Sequence, residues 1–413
     1  MMGRLYADLT QSWSEKGGGV RVYLNRKRRF ILEETSDRHL LIIPGAEDRV
    51  TEEDGGRAIT VTIASPHVPG SPNYRLLLRN RAVRAALERF LPDLVECQDA
   101  YNLPWAAIGH RKRHPETALV ASFMTDFPTA YAKRIGERIG GDWLGKASAR
   151  MAYHYAAALY RRFDAVVALS EHGGADKLHA LGIDRVSVVP LGVDIDDFAP
   201  AVRDEALRTE AGAAPVAPLL IYAGRLDHEK RAETVVDAFR QLPPQLGARL
   251  VLLGAGPLRD QLATLAGIHA PGFVHDRGLL ARWLASADVY VSGMADETFG
   301  ISVIEAQAAG LPVVGVAAGA MIDRVPPALG RLGPVDDSAA MAANIVAVLG
   351  DPDRPRIAAA ARAQAASFSW DAAMRTQFSG VYPAALARRA ALLNEGSAGR
   401  APRGGSIEPQ GTR

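Results

Sequence analysis

Cysteine is almost absent from this sequence: its 413 residues include one, Cys97. A single cysteine excludes disulfides within the chain and cysteine-based metal sites, and its place after the strand-like "DLVE" predicts a small buried hydrophobe. Long apolar runs are also lacking, because nowhere do 18 apolar residues follow one another, and "MMGRLYADLTQSW" lacks the apolar core of a signal peptide. We therefore expect a cytoplasmic chain, with contact at the inner face of a membrane left open.

Lysine is scarce as well, since only seven of the 48 basic residues are lysine, and the net charge is +2. So small a charge is not what a nucleic-acid-binding protein carries. The hydrophobic content of 48% and the charged content of 23% are typical of a soluble globular protein. A chain of 413 residues is longer than a typical domain with a single hydrophobic core, so two domains are predicted.

Short β-rich runs alternate with longer helical patterns along the chain, which predicts an α/β fold of mainly parallel sheets with helices on both faces. The predicted strands are Leu5–Leu9, Leu40–Pro44, Ala58–Ile63, Leu94–Gln98, Leu119–Phe123, Ala165–Leu169, Val186–Val189, Leu219–Ala223, Arg249–Leu253, Val289–Val291 and Pro312–Val316. A change in composition then predicts the domain division. It gives a first domain over 1–193, a linker over 194–216, a second domain over 217–368, a helix over 369–393 and a disordered tail over 394–413.

The stretch "DETFGISVIEAQAAGLPVV" (296–314) places two glutamates, Glu297 and Glu305, around a predicted helix start. In a parallel sheet, ligands bind where strands end and helices begin, so the free N–H groups near 300–303 would face an anion such as a phosphate. The helix dipole alone explains Glu305 tolerably and Glu297 poorly. A carboxylate offers two acceptor oxygens to paired hydroxyls, so one glutamate on a sugar and one on a ribose would suit a nucleotide-sugar.

A second segment, "IYAGRLDHEKRAE" (221–233), has the same layout of strand, glycine turn and predicted helix near His228. Arg225 and Lys230 flank that helix start and could together clamp a diphosphate. The alternative is that both are ordinary basic residues on a solvated helix face.

These stretches, together with "VVPLGVDIDDF", resemble the group 1 glycosyltransferases, which have two facing Rossmann-like domains in the GT-B architecture. "PDLVECQDAYNLPW" and "SPHVPGSPNYRLL" resemble members that act on glycolipids, such as α-mannosyltransferases and sulfoquinovosyl-lipid synthases. The resemblance implies an acceptor-side first domain and a nucleotide-sugar-binding second domain. It also implies that the final helical stretch, near 370–382, crosses back to the first domain.

The resemblance also implies roles for individual residues. Arg225 and Lys230 would bind the donor diphosphate, Glu297 the hydroxyls of the donor sugar, and Glu305 the ribose. The other donor-binding residues fall into three groups: Gly18 and Gly19 near the diphosphate, the backbone of Phe299, Gly300, Ile301 and Ser302 around phosphate and sugar, and Phe273 and Val274 along the base.

One departure from the family pattern lies in "SFMTDFP" (122–128), where Met124 replaces a histidine that many relatives direct at the donor sugar. Thr125 and Asp126 still fit, and Asp126 is the candidate for orienting the acceptor hydroxyl. A methionine fills the space but offers no ring N–H. Either the sugar is recognised differently near C6, or activity is reduced or lost.

We expect a retaining, metal-independent transferase that uses UDP- or GDP-hexose as co-substrate, no cofactor, and a lipid or glycolipid acceptor. A nucleotide-sugar 2-epimerase and a donor-binding pseudoenzyme are the alternatives. Asp194 and Asp196 spell a metal-binding D-x-D motif but open the predicted linker, so no metal site is expected. The histidines at 110, 114, 154, 172 and 179 are predicted to be surface or packing residues.

Basic residues are concentrated in the first half, where residues 1–193 carry a net charge of +5 against −3 for the remainder. The excess lies in "RKRR" (26–29), "YRLLLRNRAVR" (74–84) and "YAKRIGERIGGDWLGKASAR" (131–150). Arginines beside apolar side chains could contact an anionic membrane surface. The equally weighted alternative is that these are solvated helix faces.

Overall fold

A computed structural model describes residues 3–14, 18–69 and 71–398 as two sheets of eight and six strands, plus a small two-stranded hairpin. Helices cover both faces of the two large sheets, so the predicted fold class is confirmed. No helix in this described part is long and apolar enough to cross a membrane.

The first sheet belongs to the first domain and has the strand order β10-β9-β8-β7-β1-β2-β4-β3. Only β3 at its edge runs antiparallel, to β4, among these described pairs. The strands, with the separate β5–β6 hairpin, are β1 Leu5–Leu9, β2 Arg38–Gly45, β3 Arg49–Glu53, β4 Ala58–Ala64, β5 His67–Val68, β6 Ser71–Arg75, β7 Leu94–Cys97, β8 Ala118–Phe123, β9 Ala165–Ala168 and β10 Val186–Val188.

The second sheet is parallel throughout its described strands, in the order β13-β12-β11-β14-β15-β16. Its strands are β11 Leu219–Ala223, β12 Arg249–Leu253, β13 Ile268–Gly272, β14 Val289–Val291, β15 Val313–Val316 and β16 Gly330–Gly333. Both faces are buried, because Leu219 and Ile221 belong to one apolar cluster and Leu220 and Tyr222 to another. Burial on both faces is the reason that these strands read as continuous apolar runs.

The helices are α1 Gly19–Glu34, α2 Asn80–Phe90, α3 Leu103–Arg111, α4 Arg134–Tyr160, α5 Asp176–Ala180, α6 Glu205–Glu210, α7 Ala232–Arg240, α8 Arg259–Ala263, α9 Arg277–Ser286, α10 Ile301–Ala308, α11 Ala320–Arg324, α12 Ser338–Leu349, α13 Arg354–Ala366, α14 Trp370–Thr376 and α15 Tyr382–Ala398. The helix predicted near His228 is a short 3₁₀ turn, His228–Lys230, followed by α7. Wide helical turns occupy Pro128–Lys133, Glu171–Ala175 and Gln377–Val381.

The end of the chain packs on the first domain. Gln377 Nε2 donates to the Glu96 carboxylate at 2.7 Å, and the Tyr382 ring stacks on Tyr6 of β1. Helix α15 continues to Ala398, so the first five residues of the segment predicted as a disordered tail are helical. The rest of that segment lies outside the described residues.

The segment predicted as a linker, 194–216, is packed against the second domain. It contains α6, where the buried Arg208 side chain donates to Asp288 at 3.0 Å and to the carbonyl of Ala217 at 2.7 Å. The guanidinium therefore fastens this connection to the start of β11.

Helix α4 is bent at Gly140 and Gly141, where Gly141 has φ 71°. The bend folds residues 128–160 into a helical hairpin, called the α4 hairpin below. Its two arms touch at glycines, because a Cβ on Gly136 would come within 2.8 Å of Gly145 Cα. Only glycine allows this approach and this bend.

Candidate functional site

The candidate site lies between the carboxyl ends of the two sheets. The loops after β11 and β14 supply the second domain's side, and the loop after β8 with the α4 hairpin supplies the first domain's side. They enclose a cavity of about 140 Å³, lined by Thr125, Asp126, Thr129, Ala130, Arg134, Glu229, Lys230, Met294, Asp296, Glu297 and Thr298. Predicted catalytic residues from both domains therefore meet at one place.

Lys230 and Glu297 form the centre of this site. Lys230 Nζ lies 3.3 Å from Glu297 Oε2, and both side chains are about three-quarters buried. Asp227 caps the 3₁₀ turn by accepting from the Lys230 N–H at 2.9 Å, and this bond fixes the position of the lysine backbone. The pair thus joins the two motifs, "GRLDHEK" and "ETFG", that the sequence placed about 70 residues apart.

Arg225 is held by carboxylates from its own segment. Its guanidinium donates to Asp227 and to Glu229, and Glu229 also accepts from Arg134 of the α4 hairpin. Burial raises the pKa of Glu229, but the hydrogen bonds from Arg134 and Arg225 outweigh it and lower that pKa. Glu229 is therefore a carboxylate shared by two arginines, one from each domain.

Helix α10 begins at Gly300, whose φ of 89° places it in the left-handed region that favours glycine. No side chain in the described part of the chain caps this helix, so its first N–H groups remain available for an anion. The Ile301 side chain is exposed, and the Ser302 hydroxyl accepts from Tyr290 at 2.8 Å. Phe299 is buried against Arg324, so only its backbone can face a ligand.

Glu305 is buried in the second turn of α10, with 5% of its surface exposed. Burial raises its pKa, and Arg277, whose Nη2 lies 3.1 Å from Glu305 Oε1, opposes that shift. The helix dipole acts mainly within the first turn, so it does not explain this glutamate. Arg277 was not among the residues that the sequence predicted, because no local pattern links it to Glu305.

The residues predicted along the base follow a strand end, and those predicted near the diphosphate lie at the start of a helix. Phe273 and Val274 follow β13; Phe273 is 63% exposed, whereas Val274 packs against the core. Gly18 and Gly19 open α1 after β1, and Gly18 has φ 121°. A Cβ on Gly19 would meet no described atom within 4 Å, so this backbone faces open space.

Asp126 is 3% exposed and is engaged by two partners that the sequence did not indicate. The Tyr153 hydroxyl donates to its carboxylate at 2.7 Å, and Lys177 Nζ lies 2.7 Å from Oδ2. Burial, and then the Asp126 charge, raise the pKa of Tyr153. Asp126 therefore anchors the α4 hairpin, in addition to lining the cavity.

Met124 packs against the core next to the site, while Thr125 lines the cavity. The carbonyl of Met124 accepts from Thr298 Oγ1 at 3.0 Å, and the Ser170 hydroxyl donates to the carbonyl of Thr298 at 2.9 Å. Thr298 thus connects the loop that carries Glu297 to two loops of the first domain.

The D-x-D motif of Asp194 and Asp196, where no metal site is expected, does not line this cavity. Asp194 pairs with Arg26 of α1 at 2.6 Å, and Arg277 donates to the Asp194 carbonyl. Asp194 therefore serves the contact between the domains.

Comparison with known proteins identifies the family. The family model described as "Glycosyltransferase Family 4" matches residues 2–197, and that described as "Glycosyl transferases group 1" matches residues 217–351. The GDP-mannose-dependent alpha-(1-6)-phosphatidylinositol dimannoside mannosyltransferase of Mycobacterium tuberculosis is 31% identical over 310 residues, which cover 73% of this chain and 76% of that protein. The sulfoquinovosyl transferase of Arabidopsis thaliana is 30% identical over 317 residues, covering 74% of this chain and 58% of that protein.

Solved structures agree on the fold. A sucrose-phosphate synthase from Thermosynechococcus elongatus superposes with a TM-score of 0.72 at 20% identity, covering 93% of this chain and 99% of that one. Anabaena HepE in complex with UDP and glucose gives a TM-score of 0.66 at 17% identity, covering 92% and 99%. The chain belongs to the group 1 glycosyltransferases and is a glycosyltransferase of the GT-B fold, as its motifs predicted.

Proposed function

We propose that this chain is a retaining, metal-independent hexosyltransferase that moves a sugar from UDP- or GDP-hexose to a hydroxyl of a membrane lipid or glycolipid. The observation that carries the proposal is the Lys230–Glu297 pair, which lines one cavity together with Asp126 of the other domain. The relatives named for GDP-mannose and for phosphatidylinositol dimannoside support this donor and this acceptor class. The epimerase and the pseudoenzyme gain no support from them.

Transfer requires stabilisation of a departing nucleoside diphosphate. Lys230, Arg225 and the uncapped start of α10 can supply positive charge there without a metal ion. Glu297, next to Lys230, is placed to accept from hydroxyls of the transferred hexose. Glu305 on α10 pairs with Arg277 at the start of α9, and these two residues would bind the ribose of the nucleotide.

Retention without a covalent intermediate agrees with how the carboxylates of the cavity are engaged. Asp126 is bonded to Tyr153 and Lys177, and Glu229 is shared by two arginines. The other two carboxylates that line the cavity are also paired, Glu297 with Lys230 at 3.3 Å and Asp296 with Arg231 at 3.7 Å, so none of these four is an unpaired nucleophile. We therefore favour front-face displacement, in which the leaving phosphate helps to deprotonate the acceptor and Asp126 positions the acceptor side.

The lipid acceptor is supported by the surface of the α4 hairpin. Ile139 and Trp143 are 74% and 78% exposed, and Tyr131, Ile135 and Met151 are also exposed. Tyr131 and Ile135 line a cavity of about 520 Å³ that they share with Arg225 and Glu229 of the donor side. An exposed apolar surface of this kind marks a protein or membrane contact, and this one leads into the cleft.

The α4 hairpin fits a membrane surface better than the basic segment 26–29 does. In the segment 26–29, Lys27 is fully buried, and Arg28 hydrogen-bonds inside the domain. The hairpin instead combines exposed apolar side chains with Lys133, Arg138 and Lys146. Basic residues beside apolar ones are what an interfacial helix uses at anionic lipid. We place the enzyme in the cytoplasm, peripheral to the inner face of the membrane.

The proposal predicts sugar transfer to a lipid acceptor in the presence of EDTA. The assay offers UDP-, GDP- and ADP-hexoses together with phosphatidylinositol-containing and neutral lipid extracts, and it measures labelled lipid by chromatography. One donor should raise the unfolding temperature, because ligand at a hundred times its Kd adds about 2.7 kcal/mol to the native state. Sugar conversion without an acceptor would indicate the epimerase, donor binding without turnover the pseudoenzyme, and rescue of an EDTA-inactivated enzyme by manganese a metal-dependent mechanism.

Lys230→Ala and Arg225→Ala should each lower kcat/KM by about 10- to 100-fold or more. Each removes a charge-assisted contact to the leaving group worth roughly 1.5–3 kcal/mol. Arg240→Ala is the matched control, since Arg240 is an exposed arginine on α7. Full activity in either site variant, or equal loss in the control, would remove these residues from the mechanism.

Substitutions of the two glutamates should affect different steps of the reaction. Glu297→Gln should lower kcat with little change in the Kd for nucleoside diphosphate, because sugar orientation is lost. Glu305→Gln should mainly raise that Kd. Steady-state kinetics measures the change in kcat, and calorimetric titration with the nucleoside diphosphate measures the change in Kd. If both variants lose only thermal stability at unchanged specific activity, the glutamates are structural.

The α4 hairpin should mediate reversible, salt-sensitive binding to vesicles that contain anionic lipid. Trp143→Ser should reduce sedimentation with the vesicles, and Arg138→Gln should weaken it by about fivefold, since a basic residue near such a surface contributes about 1 kcal/mol. Val216→Ser and Arg356→Gln are the matched controls, because both residues are highly exposed outside the hairpin. Vesicle binding that does not depend on salt or lipid charge would contradict a membrane acceptor, and so would the absence of vesicle binding. Either result would still allow transfer to a soluble acceptor.

A further inference from the structure

The loop over residues 297–300, which leads from the cavity into α10, is held by its carbonyl groups. Three consecutive carbonyls of this loop accept hydrogen bonds from groups outside it. The pairs, each at 2.9 Å, are Glu297 with the N–H of Ala320, Thr298 with the hydroxyl of Ser170, and Phe299 with Nε of Arg324. The shape of this irregular loop therefore depends on donors from other elements.

These bonds also fix the direction of the N–H groups in the loop. A peptide group is planar and almost always trans, so its carbonyl and its N–H point in opposite directions. Because the Phe299 carbonyl faces Arg324, the Gly300 N–H is turned away from Arg324. That N–H donates to no group in the described part of the chain, and it lies at the uncapped start of α10, where an anion can bind.

Arg324, the last residue of α11, is buried, with 4% of its surface exposed. Its neighbour in sequence, Asp323, pairs with His172 of the first domain instead. The Arg324 guanidinium carbon lies 4.7 Å from the centroid of each of two rings, Phe299 and Phe368, and burial lowers the pKa of Arg324 to about 10. Burying a guanidinium is unfavourable unless its N–H groups find acceptors, so the acceptors account for its position.

Two of those acceptors belong to different domains. Nε donates to the Phe299 carbonyl in the second domain, and Nη2 donates to the Leu169 carbonyl at 3.0 Å, just after β9 in the first domain. The next residue, Ser170, holds the Thr298 carbonyl. The loop 297–300 is therefore fixed from both domains.

The backbone of Arg324 is held by the helix whose start it orients. Its carbonyl accepts from Gln307 Nε2 of α10 at 2.6 Å and from Gln364 Nε2 of α13 at 2.8 Å. Gln307 is fully buried, so this contact is shielded from water. Arg324 is thus bonded both to the residue before Gly300 and to the last turn of α10.

We propose that Arg324 is a positioning residue for sugar transfer, which holds the loop 297–300 in the shape that directs Glu297 at the hexose and the Gly300 N–H at the diphosphate, and which ties that shape to the contact between the domains. The inference rests on the proposed function, which assigns Glu297 and the start of α10 to the donor. Arg324 does not contact the donor in this role. A lysine cannot fully replace it, because an ammonium lacks the planar fork that donates in fixed directions.

The first test compares Arg324→Lys and Arg324→Met with the parent. Misplaced groups at the reacting centre slow the chemistry, so kcat should fall about 10- to 100-fold while the Kd for the nucleoside monophosphate changes less than about twofold. Arg324→Lys should keep more activity than Arg324→Met, because an ammonium can still donate to one carbonyl. Ser170→Ala, which removes the donor to the Thr298 carbonyl, should also lower kcat. If Arg324→Lys or Ser170→Ala keeps the parent's kcat, the inference is overturned.

Arg208→Lys is the matched control. Arg208 is also a buried arginine of the second domain's side, and it donates to the carbonyls of Ser286 and Ala217 without lining the cavity. Arg208→Lys should lower thermal stability at unchanged kcat. Loss of stability alone in Arg324→Lys, as in this control, would make Arg324 a structural residue.

Amide hydrogen exchange tests the loop without a transfer assay. Three amides depend on its shape because they donate to its carbonyls: Ala320 to Glu297, and Val303 and Ile304 to Gly300. Exchange at these amides should be faster in Arg324→Lys than in the parent and unchanged in Arg208→Lys. Unchanged exchange in Arg324→Lys would overturn the inference. A parent that transfers no sugar would instead contradict the proposed function, and the exchange result would still decide whether Arg324 holds the loop.

Discussion

The first domain depends on one fully buried cation. Lys27 of α1 lies 2.7 Å from Asp8 of β1 and 2.8 Å from Glu96 of β7, and none of the three side chains is exposed. Removing one partner from such a buried group leaves an uncompensated charge and costs about 3–5 kcal/mol. The same Glu96 accepts from Gln377 and Tyr382, which hold the end of the chain on the first domain. A single charge network therefore joins two central strands, the first helix and the last helices.

This network also makes the first domain sensitive to acid. Burial lowers the pKa of His39 to about 4, and the neutral ring bonds to Asp8, whose own pKa Lys27 and His39 lower to about 2 against the opposing effect of burial. Unfolding restores the usual pKa of His39 near 6.5. The unfolded chain then binds a proton that the native chain does not, so stability falls as the pH drops from about 6.5 to 4. Asp8 adds a further loss below its unfolded pKa, near pH 4.

The sequence predicted the central strands and the edge strand β10, but it missed the edge strands β3, β13 and β16, for a physical reason. Strands such as Leu219–Ala223 are buried on both faces and read as apolar runs. The edge strands β3 and β16 have a charged and a glycine-rich sequence, and they gain their order from a neighbour. The site shows the same division. Motif spacing placed Arg225, Lys230 and Glu297, whereas the partners Arg134, Tyr153, Lys177 and Arg277 come from distant elements that no local pattern connects.

The carboxylate of Glu229 connects the two domains next to the proposed donor site. Glu229 accepts from Arg225 of the donor clamp and from Arg134 of the α4 hairpin, so the two domains are joined through one anion. In the proposed reaction, a nucleoside diphosphate brings a larger negative charge to Arg225 and competes with Glu229 for it. The exchange frees part of Glu229 for Arg134, so donor binding at one domain alters the contact that positions the hairpin of the other. Both arginines are partly exposed, so Glu229 supplies a counter-ion to each rather than compensating for a buried charge. In the proposed reaction, Glu229 would hold Arg225 in position until the phosphates replace it.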